Sequence, residues 1–528
     1  MSDDDSFTSA DELLIGGPEA PRSRRRWWIG GLALCVAGAG AGAAAWAAVA
    51  FLHQGAQPAE ALPDSTLGYV SLDLDPSGGQ KIEALKLARK FPGFKDKVGL
   101  KTDDDVRRWF FDQLADDSGC PIDFAEDVAP WLGSRVAIAA VGRDEPFPVV
   151  VVQTSDADKA DAGLRKITAC DTEEHYTWKT SGDWTVVAET RAQVDEVVAG
   201  AKKGSLADDD DFRSWTDRAG DEGIMTAYAA PAAGGVLADR LASSLKTLSG
   251  GTSAAAGCDA STDRVTSALA RFQGAAASLR LDDGGIELSA VSDPGVQALT
   301  GTGSGSTKPA GTPAITTLPA DTALAYGLAL PAGWATTWKK QLSAACGADA
   351  DKVLGQLTDS LGFDLLEDGP HVLGTSLALA LGPDLDVEGL VNGDDPGALP
   401  VAVKTTGDKD VVDRLLGSLT RAFGLPKGYL QTRGGAGSVA VALDGDYAAK
   451  VAGNGGLGKD PVFRDVVPHA DDSSAVVYVN FDRLDRAVGQ MASGDKEVGD
   501  NLEPLRALGL SAWRDGDEAH ALLRVSLD

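Results

Sequence analysis

Two distant stretches of the chain begin almost identically. LPDSTLGYVSLDLDP runs from Leu62 to Pro76, and LPADTALAYGLALP runs from Leu318 to Pro331. An ungapped alignment keeps apolar residues at alternate positions in both copies, as in a half-buried strand. A gap that paired Tyr69 with Tyr326 would exchange the two faces of that strand. We therefore expect the ungapped register.

Three further matches follow in the same order along the chain. They pair DFAEDVAPWLGS from Asp123 with DLLEDGPHVLGT from Asp364, PVVVVQTSDAD from Pro148 with PVAVKTTGDKD from Pro400, and Phe212-Arg213 with Phe463-Arg464, the last followed by Tyr228 and Tyr478 in apolar strands. Ordered matches over two segments of this length indicate an internal duplication.

The local patterns predict an α+β fold in which each copy forms an antiparallel sheet with helices on one face. In the first copy they predict helices over Lys81–Lys90 and Asp105–Leu114, paired strands over Arg135–Val141 and Pro148–Val152, a helix capped near Ser155 or Asp156, and a hairpin over Arg280–Val291. We expect one repeat over residues 62–293, a Gly/Ser/Thr/Pro linker over 294–316, and a second repeat over 317–528.

The N-terminal region predicts a membrane anchor. Residues 1–26 are polar and acidic up to a cluster of arginines, and residues 27–52 contain no charge. This uncharged run is long enough to span a bilayer, and the arginines predict a cytoplasmic tail with everything after Leu52 outside a plasma membrane. A cleavable signal peptide ending near Ala59-Glu60-Ala61 is the alternative, but the run is longer than a typical signal sequence.

Charge and cysteine usage fit an exported protein. The formal net charge of −30 argues against nucleic acid, or anionic lipid bound through a broad basic surface, as a partner. Four cysteines lie beyond the predicted span and predict two disulfides, preferably between sequence neighbours, although three pairings are open. They are Cys120, Cys170, Cys258 and Cys346.

The repeated LP-x-x-T start, the run DLDPSGGQKIEALKLARKFPGF (residues 73–94) and SLADDDDFR (residues 205–213) carry a family resemblance. With these features the chain resembles the actinobacterial membrane-anchored proteins grouped as domain of unknown function 3352. The resemblance covers nearly all of the chain after Leu62. It implies a single-pass, extracytoplasmic, duplicated protein and supplies no catalytic residue.

The sequence contains no complete catalytic, metal or cofactor motif. Its five histidines are scattered, and two SxxK matches lack the other elements of penicillin-binding enzymes. Residues 453–460, GNGGLGKD, resemble a phosphate-binding loop without its Ser or Thr, so we expect an ordinary loop. Residues 384–395 resemble a calcium loop, but strand-like flanks and Asp at the last position favour an acidic hairpin loop.

The remaining candidates are acidic and aromatic side chains. Acidic residues that both repeats share could in principle act as acid–base pairs, but their positions are typical of turns and helix starts. They include Asp123, Glu126, Asp127, Asp156, Asp158 and Asp161. Trp178 and Trp184 could stack on sugars, although packing within a hairpin is the preferred interpretation.

These patterns favour a non-catalytic binding or scaffolding module of the cell envelope, anchored by one helix, with an envelope protein as its partner. Two alternatives remain open. One is an enzyme that acts on envelope polymers through dispersed carboxylates, which requires several of them to converge in one pocket. The other is a carrier of lipid or another small ligand, which requires an apolar cavity.

Overall fold

The computed structural model describes most of the chain after Ala56. Apart from isolated positions, the described residues are 57–74, 122–143, 145–169, 176–221, 223–238, 269–282, 285–293, 312–346, 350–383, 399–426, 428–435, 437–484 and 501–528. All of them belong to one compact unit. The predicted tail, the predicted span and most of the linker lie outside them, as do nearly all residues of the helices predicted over 81–90 and 105–114. Within the described residues, no helix has the length and apolar character needed to cross a membrane.

Sixteen strands of the described residues form a single antiparallel sheet. They are β1 (Thr66–Asp73), β2 (Leu132–Val141), β3 (Phe147–Thr154), β4 (Thr177–Ser181), β5 (Trp184–Ala188), β6 (Met225–Ala229), β7 (Ala275–Asp282), β8 (Gly285–Ser292), β9 (Leu324–Ala329), β10 (Ser376–Leu381), β11 (Val401–Thr405), β12 (Gln431–Gly435), β13 (Ser438–Ala442), β14 (Ser473–Asn480), β15 (Leu505–Asp515) and β16 (Glu518–Leu527).

The strand order of this sheet is the same in its two halves. From the edge inward, the first half runs β4-β5-β3-β2-β1-β6-β7-β8 and the second runs β12-β13-β11-β10-β9-β14-β15-β16. The two halves meet where β8 pairs with β16. Val291 of β8 and Arg524 of β16 hold matching register positions, and so do Glu287 and His520. A rotation that exchanges the two halves therefore places the pair Glu287–Arg524 on the pair His520–Val291. The sheet therefore has an approximate two-fold axis at this junction, which we call the seam.

The helices connect the strands. They are α1 (Ala157–Thr168), α2 (Arg191–Ala201), α3 (Asp210–Arg218), α4 (Pro313–Thr316), α5 (Trp334–Cys346), α6 (Ala350–Leu361), α7 (Gly369–Leu373), α8 (Lys409–Ala422), α9 (Gly445–Ala452) and α10 (Pro461–Val466). As predicted, Asp156 caps α1, because its carboxylate accepts a hydrogen bond from the free Lys159 N–H. The predicted hairpin over 280–291 is also present, as β7 and β8.

Helices pack on both faces of the sheet, so the prediction of helices on one face was wrong. We call the face that carries Tyr69 and Ala325 face A, and the opposite one face B. In β3, Val151 belongs to the face A core with α2, whereas the next residue, Val152, packs with α1 on face B. Consecutive strand residues point to opposite faces, so an apolar run such as VVVV indicates two covered faces.

The repeated LP-x-x-T stretch is a turn that starts the first strand of each half. In the first half, the Pro63 carbonyl accepts hydrogen bonds from the N–H and the hydroxyl of Thr66, at 3.1 and 2.7 Å. In the second, Pro319 accepts the same two bonds from Thr322, at 3.0 and 2.7 Å. Both threonines are buried. The chain repeats these letters because each half needs the same hydrogen-bonded turn.

A later loop closes over each of these turns. The Leu62 carbonyl accepts the Leu206 N–H at 2.8 Å, and the Leu318 carbonyl accepts the Leu457 N–H at 2.9 Å. Leu457 belongs to the GNGGLGKD segment, which is a loop with a short 3₁₀ turn preceded by helix α9, as predicted. Its glycines permit close approach, since a Cβ on Gly455 would lie 2.4 Å from the Pro319 Cα. This segment is part of the turn architecture.

Candidate functional site

Large apolar side chains cover face B of three neighbouring strands in the second half. Tyr326 lies opposite Leu379, and Leu379 lies opposite Val403. These three residues are 38%, 40% and 36% exposed. The same face carries five more large apolar residues, all half-buried: Leu324, Leu328, Leu377, Leu381 and Val401. We call these eight residues the open face.

The opposite side of the same strands carries mainly small residues. Ala325, Gly327, Ala378, Ala380 and Ala402 lie on face A, and all five are buried. Small side chains let the covering helices approach closely, as at Gly327, where a Cβ would lie 2.9 Å from the Ile315 side chain of α4. Folding therefore buries the smaller residues of β9–β11 and leaves the larger ones facing outward. Core formation alone does not explain this distribution.

Helix α8 borders the open face. Its Val412 packs with Val439 of β13 in one apolar cluster on face B. Phe423, which follows the last turn of α8, is 68% exposed.

The first half has no equivalent surface among the described residues. Ile138 occupies the register position that Leu379 holds in the second half, and it is 39% exposed. Its neighbours Val70 and Val150 are half-buried, so Ile138 is a single exposed residue. Single exposed apolar residues are ordinary, whereas the three exposed residues of the second half are adjacent.

A buried carboxylate joins the two halves on face A at the seam. Glu287 of β8, whose side chain is 7% exposed, forms ion pairs with Arg280 of β7 and with Arg524 of β16. The Arg524 Nε–Glu287 Oε2 distance is 2.6 Å. Burial acts to raise the pKa of Glu287, but the hydrogen bonds and charges of the two guanidinium groups outweigh it and lower the pKa. The carboxylate is fully occupied in holding the halves together.

Beside this ion pair, two histidines enclose a tryptophan. The Trp513 ring stacks between His469, at a centroid distance of 3.9 Å, and His520, at 5.3 Å. Glu518 links His520 to Arg218 of α3 in the first half, with distances of 3.3 and 3.1 Å. The sequence analysis did not identify this group because His469 lies far from Trp513 along the chain, and a turn separates Trp513 from His520. The Asp-Gly-Asp turn at 515–517 was the available signal, since it places Trp513 opposite His520.

A buried lysine supports the turn of the second half. Lys404 is 1% exposed, and its ammonium group donates to the carbonyl oxygens of Thr317 at 2.9 Å and Gly453 at 2.7 Å. Burial lowers the pKa of Lys404 to about 8. Its two partners are the backbone carbonyls of the residue just before the LP turn and of the residue that follows α9, so the lysine has a structural role.

Most of the shared carboxylates lie at or near the start of a helix, as the sequence indicated, whereas Asp161 lies farther along α1. Asp123 caps a short π-helical turn, Phe124–Val128, by accepting the Glu126 N–H, and Asp156 caps α1. Asp127 pairs with Lys166, and the hydrogen bond from that lysine lowers its pKa. The others are Asp158, which is exposed, and Asp161, whose pKa is lowered by its hydrogen bond from Arg165. The partners named here are backbone N–H groups and basic side chains, and Asp161 also accepts a hydrogen bond from Trp178.

The two tryptophans pack within the fold. Trp184 is 5% exposed in the face A core, and Trp178 donates a hydrogen bond to Asp161.

Several other candidates lie outside the described residues: Cys120, Cys170, Cys258, both SxxK matches and all but one residue of the loop at 384–395. Cys346 is the last residue of α5. The disulfides and the calcium loop therefore stay predictions. Among the described residues, no cluster of three or more His, Cys, Asp or Glu could hold a metal ion.

Comparisons with known proteins give one match. No curated protein and no solved structure matches the chain. A family model described as protein of unknown function (DUF3352) matches residues 29–178, and it supports this domain family for that part of the chain.

Proposed function

We propose that the protein is a membrane-anchored, extracytoplasmic binding module of the cell envelope, and that it binds its partner on the open face. The observation that carries this proposal is the row Tyr326–Leu379–Val403, in which three adjacent large apolar residues each remain more than a third exposed. Leaving such residues in water costs free energy that burial would recover, at about 25 cal/mol per Å². A surface of this kind is stabilised when something covers it.

The rest of the molecule forms a rigid support for that surface. The open face lies on β9–β11, whose backbones are hydrogen-bonded within the sixteen-stranded sheet. Binding residues on strands hold their positions better than residues on loops. The common strand order of the halves supports an origin by duplication of one half.

The anchor and its orientation rest on the sequence of residues 1–52. The uncharged run supports a single span, and the arginines before it support an external location for everything after Leu52. An epitope at the C-terminus of the full-length protein tests this orientation. Antibody should label it on intact cells, and labelling only after permeabilisation would contradict the external location.

Site-directed photo-crosslinking of the full-length protein in its native membrane tests the binding site. We expect a benzophenone side chain at Leu379 to give an adduct at least ten-fold more abundant than one at Ile138. Ile138 is the matched control because it has the same register position and almost the same exposure. An equal yield at both positions, or no adduct at Leu379, would contradict the proposed function.

A further inference from the structure

We infer that the seam selects its partner. The first half of the sheet pairs with the second half of the same chain, and two ion pairs across the seam, Glu287–Arg524 and Arg218–Glu518, disfavour pairing between like halves of two copies. The seam is separate from the open face, so this selectivity goes beyond the proposed function.

The seam has the geometry of an interface between two copies of one half. Strands β8 and β16 hold equivalent places in the two halves, and they pair about the approximate two-fold axis. The axis passes between Ser289 and Leu522, which lie opposite each other and hold matching register positions. A dimer with a two-fold axis joins the same edge of both subunits. Backbone hydrogen bonding alone would therefore also allow β8 to pair with β8, and β16 with β16, of a second copy.

Two rows of side chains cross the seam on face A, and the two-fold axis exchanges them. Each row runs over β7, β8, β16 and β15 in that order. The rows are Arg280–Glu287–Arg524–Gly509 and Ala276–Val291–His520–Trp513. The first row is charged, whereas the second is mainly apolar and has no carboxylate. Matching positions on the edges of the two halves therefore carry different side chains.

Pairing of like halves would break the first row. Two β8 strands placed about the same axis would put Glu287 opposite Val291, and two β16 strands would put Arg524 opposite His520. Glu287 would keep Arg280, its neighbour on β7, but would lose the Arg524 guanidinium. Because the Glu287 side chain is only 7% exposed, water would replace little of that contact. The undercompensated buried charge disfavours this pairing.

The Arg218–Glu518 pair has the same bias. Arg218, at the end of α3, belongs to the first half and contacts Glu518 of β16 at 3.1 Å. In the first half Gly285 holds the position of Glu518, since each lies opposite the matching aspartate of its hairpin. Two first halves would therefore offer no carboxylate to Arg218 at this position. An interface is specific when its contacts favour one partner and unpaired charges disfavour another.

The ion pairs and the connection between the halves act on different choices. Each ion pair takes one residue from each half, so it forms only between unlike halves. Residues 293–312 join the two halves covalently, and such a connection raises the local concentration of the second half around the first. The charges thus select an unlike half, and the connection selects the one in the same chain.

A cysteine at the two-fold axis reports which strands pair. Ser289→Cys lies opposite Leu522 in the native pairing, but opposite the same cysteine of a second copy when two β8 strands pair. The full-length protein is unfolded in urea with a thiol reductant, refolded and oxidised, and peptide mass spectrometry measures the link between two such cysteines. Ser289→Cys with Leu522→Cys is the positive control, because native pairing should link these two cysteines within one chain.

Charge variants of this reporter test the selection. Arg524→Glu places two carboxylates opposite each other across the seam, so the link between copies should increase at least ten-fold. Glu287→Arg combined with Arg524→Glu restores opposite charges between unlike halves, and should return the yield to within about two-fold of that with native charges. Arg213→Glu, which breaks an exposed ion pair with Asp210 inside the first half, is the matched control and should leave the yield unchanged.

An unchanged link yield after Arg524→Glu would overturn the inference, as would a high yield that persists when Glu287→Arg is added. If Arg524→Glu alone does not refold, Arg524→Leu replaces it. The neutral side chain removes the attraction between unlike halves and should raise the yield about three-fold, and no increase would overturn the inference. The open face is tested separately at Leu379, so failure of either proposal leaves the other standing.

Discussion

The Arg524 guanidinium donates a hydrogen bond to the Glu287 carboxylate at 2.6 Å, and this contact crosses the boundary between the two halves of the sheet. Arg280 holds the other oxygen of the same carboxylate. Removing one member of a buried ion pair leaves the remaining charge uncompensated, which costs more than the pair itself contributes.

Glu287→Gln tests the importance of this contact. It keeps the shape of the side chain and removes its charge, so both arginines lose this buried counter-ion, while Arg280 keeps its longer pair with the exposed Asp221 at 3.6 Å. We expect the free energy of unfolding in urea to fall by about 3 kcal/mol. Asp210→Asn is the matched control, because Asp210 also pairs with an arginine but is 98% exposed, and it should change stability by less than about 0.5 kcal/mol. Equal effects of the two changes would refute a special role for the seam.

The turns at Pro63 and Pro319 give a second prediction. Thr322→Val removes a buried hydroxyl that donates to the Pro319 carbonyl at 2.7 Å, while leaving the side-chain volume nearly the same. We expect a loss of about 1–2 kcal/mol in unfolding free energy. Thr66→Val should have a similar effect in the first half, because the bond has the same length there. Thr316→Val, whose exposed hydroxyl lies 3.4 Å from its acceptor, serves as the control. A neutral Thr322→Val would show that this bond does not stabilise the turn.

The first strand of each half followed the sequence prediction closely. The ungapped register is correct, since Tyr69 lies opposite Ala139 and the matching Ala325 lies opposite Ala380. Tyr69 is consequently buried, whereas Tyr326 is exposed. The local patterns sufficed here because alternation of apolar residues fixes which face of a strand is covered.

The third sequence match is one residue out of register in the sheet. The alignment pairs Val149 with Val401, but Ala139 lies opposite Val149 while its counterpart Ala380 lies opposite Ala402. The first half therefore has one more residue between this strand and the following helix cap. A single-sequence comparison could not detect this difference, because neighbouring residues in both strands are similar and no gap improves the match.

The pairing of the two halves into one sheet also could not be predicted from the sequence. Each repeat has enough apolar residues for a sheet of its own, and nothing local indicates that β8 pairs with β16. That pairing depends on two edges that lie more than 200 residues apart, and on Glu287 meeting Arg524. The open face escaped notice for a similar reason. Leu379 and Tyr326 look like core residues until the structure shows which helices cover face B.

Because Lys404 is buried, we expect the free energy of unfolding to depend unusually on alkaline pH. Burial lowers its pKa from 10.5 to about 8, so the unfolded chain binds more protons than the folded protein between these values. The contribution of Lys404 to the free energy of unfolding therefore rises as pH increases through that window, by roughly 3 kcal/mol in total. Lys404→Met has no titrating group there. We expect the stability difference between wild type and this variant to grow in favour of the wild type from pH about 8 to about 10, in urea unfolding. Parallel pH profiles would contradict a buried, easily deprotonated lysine.

Because His469 is partly buried, we expect its protonation to lower the stability of the protein in mild acid. Burial lowers its pKa, Arg524 and His520 act in the same direction, and the carboxylates of Asp472 and Glu287 oppose them. Just below the ordinary histidine pKa of about 6.5, the unfolded chain therefore binds more protons, and stability falls as pH drops. We expect His469→Gln to weaken this fall between pH about 7.5 and about 5.5, measured by urea unfolding. His371→Gln, at an exposed histidine, should leave the profile unchanged. If both variants behave like the wild type, the stack around Trp513 does not respond to protonation of His469.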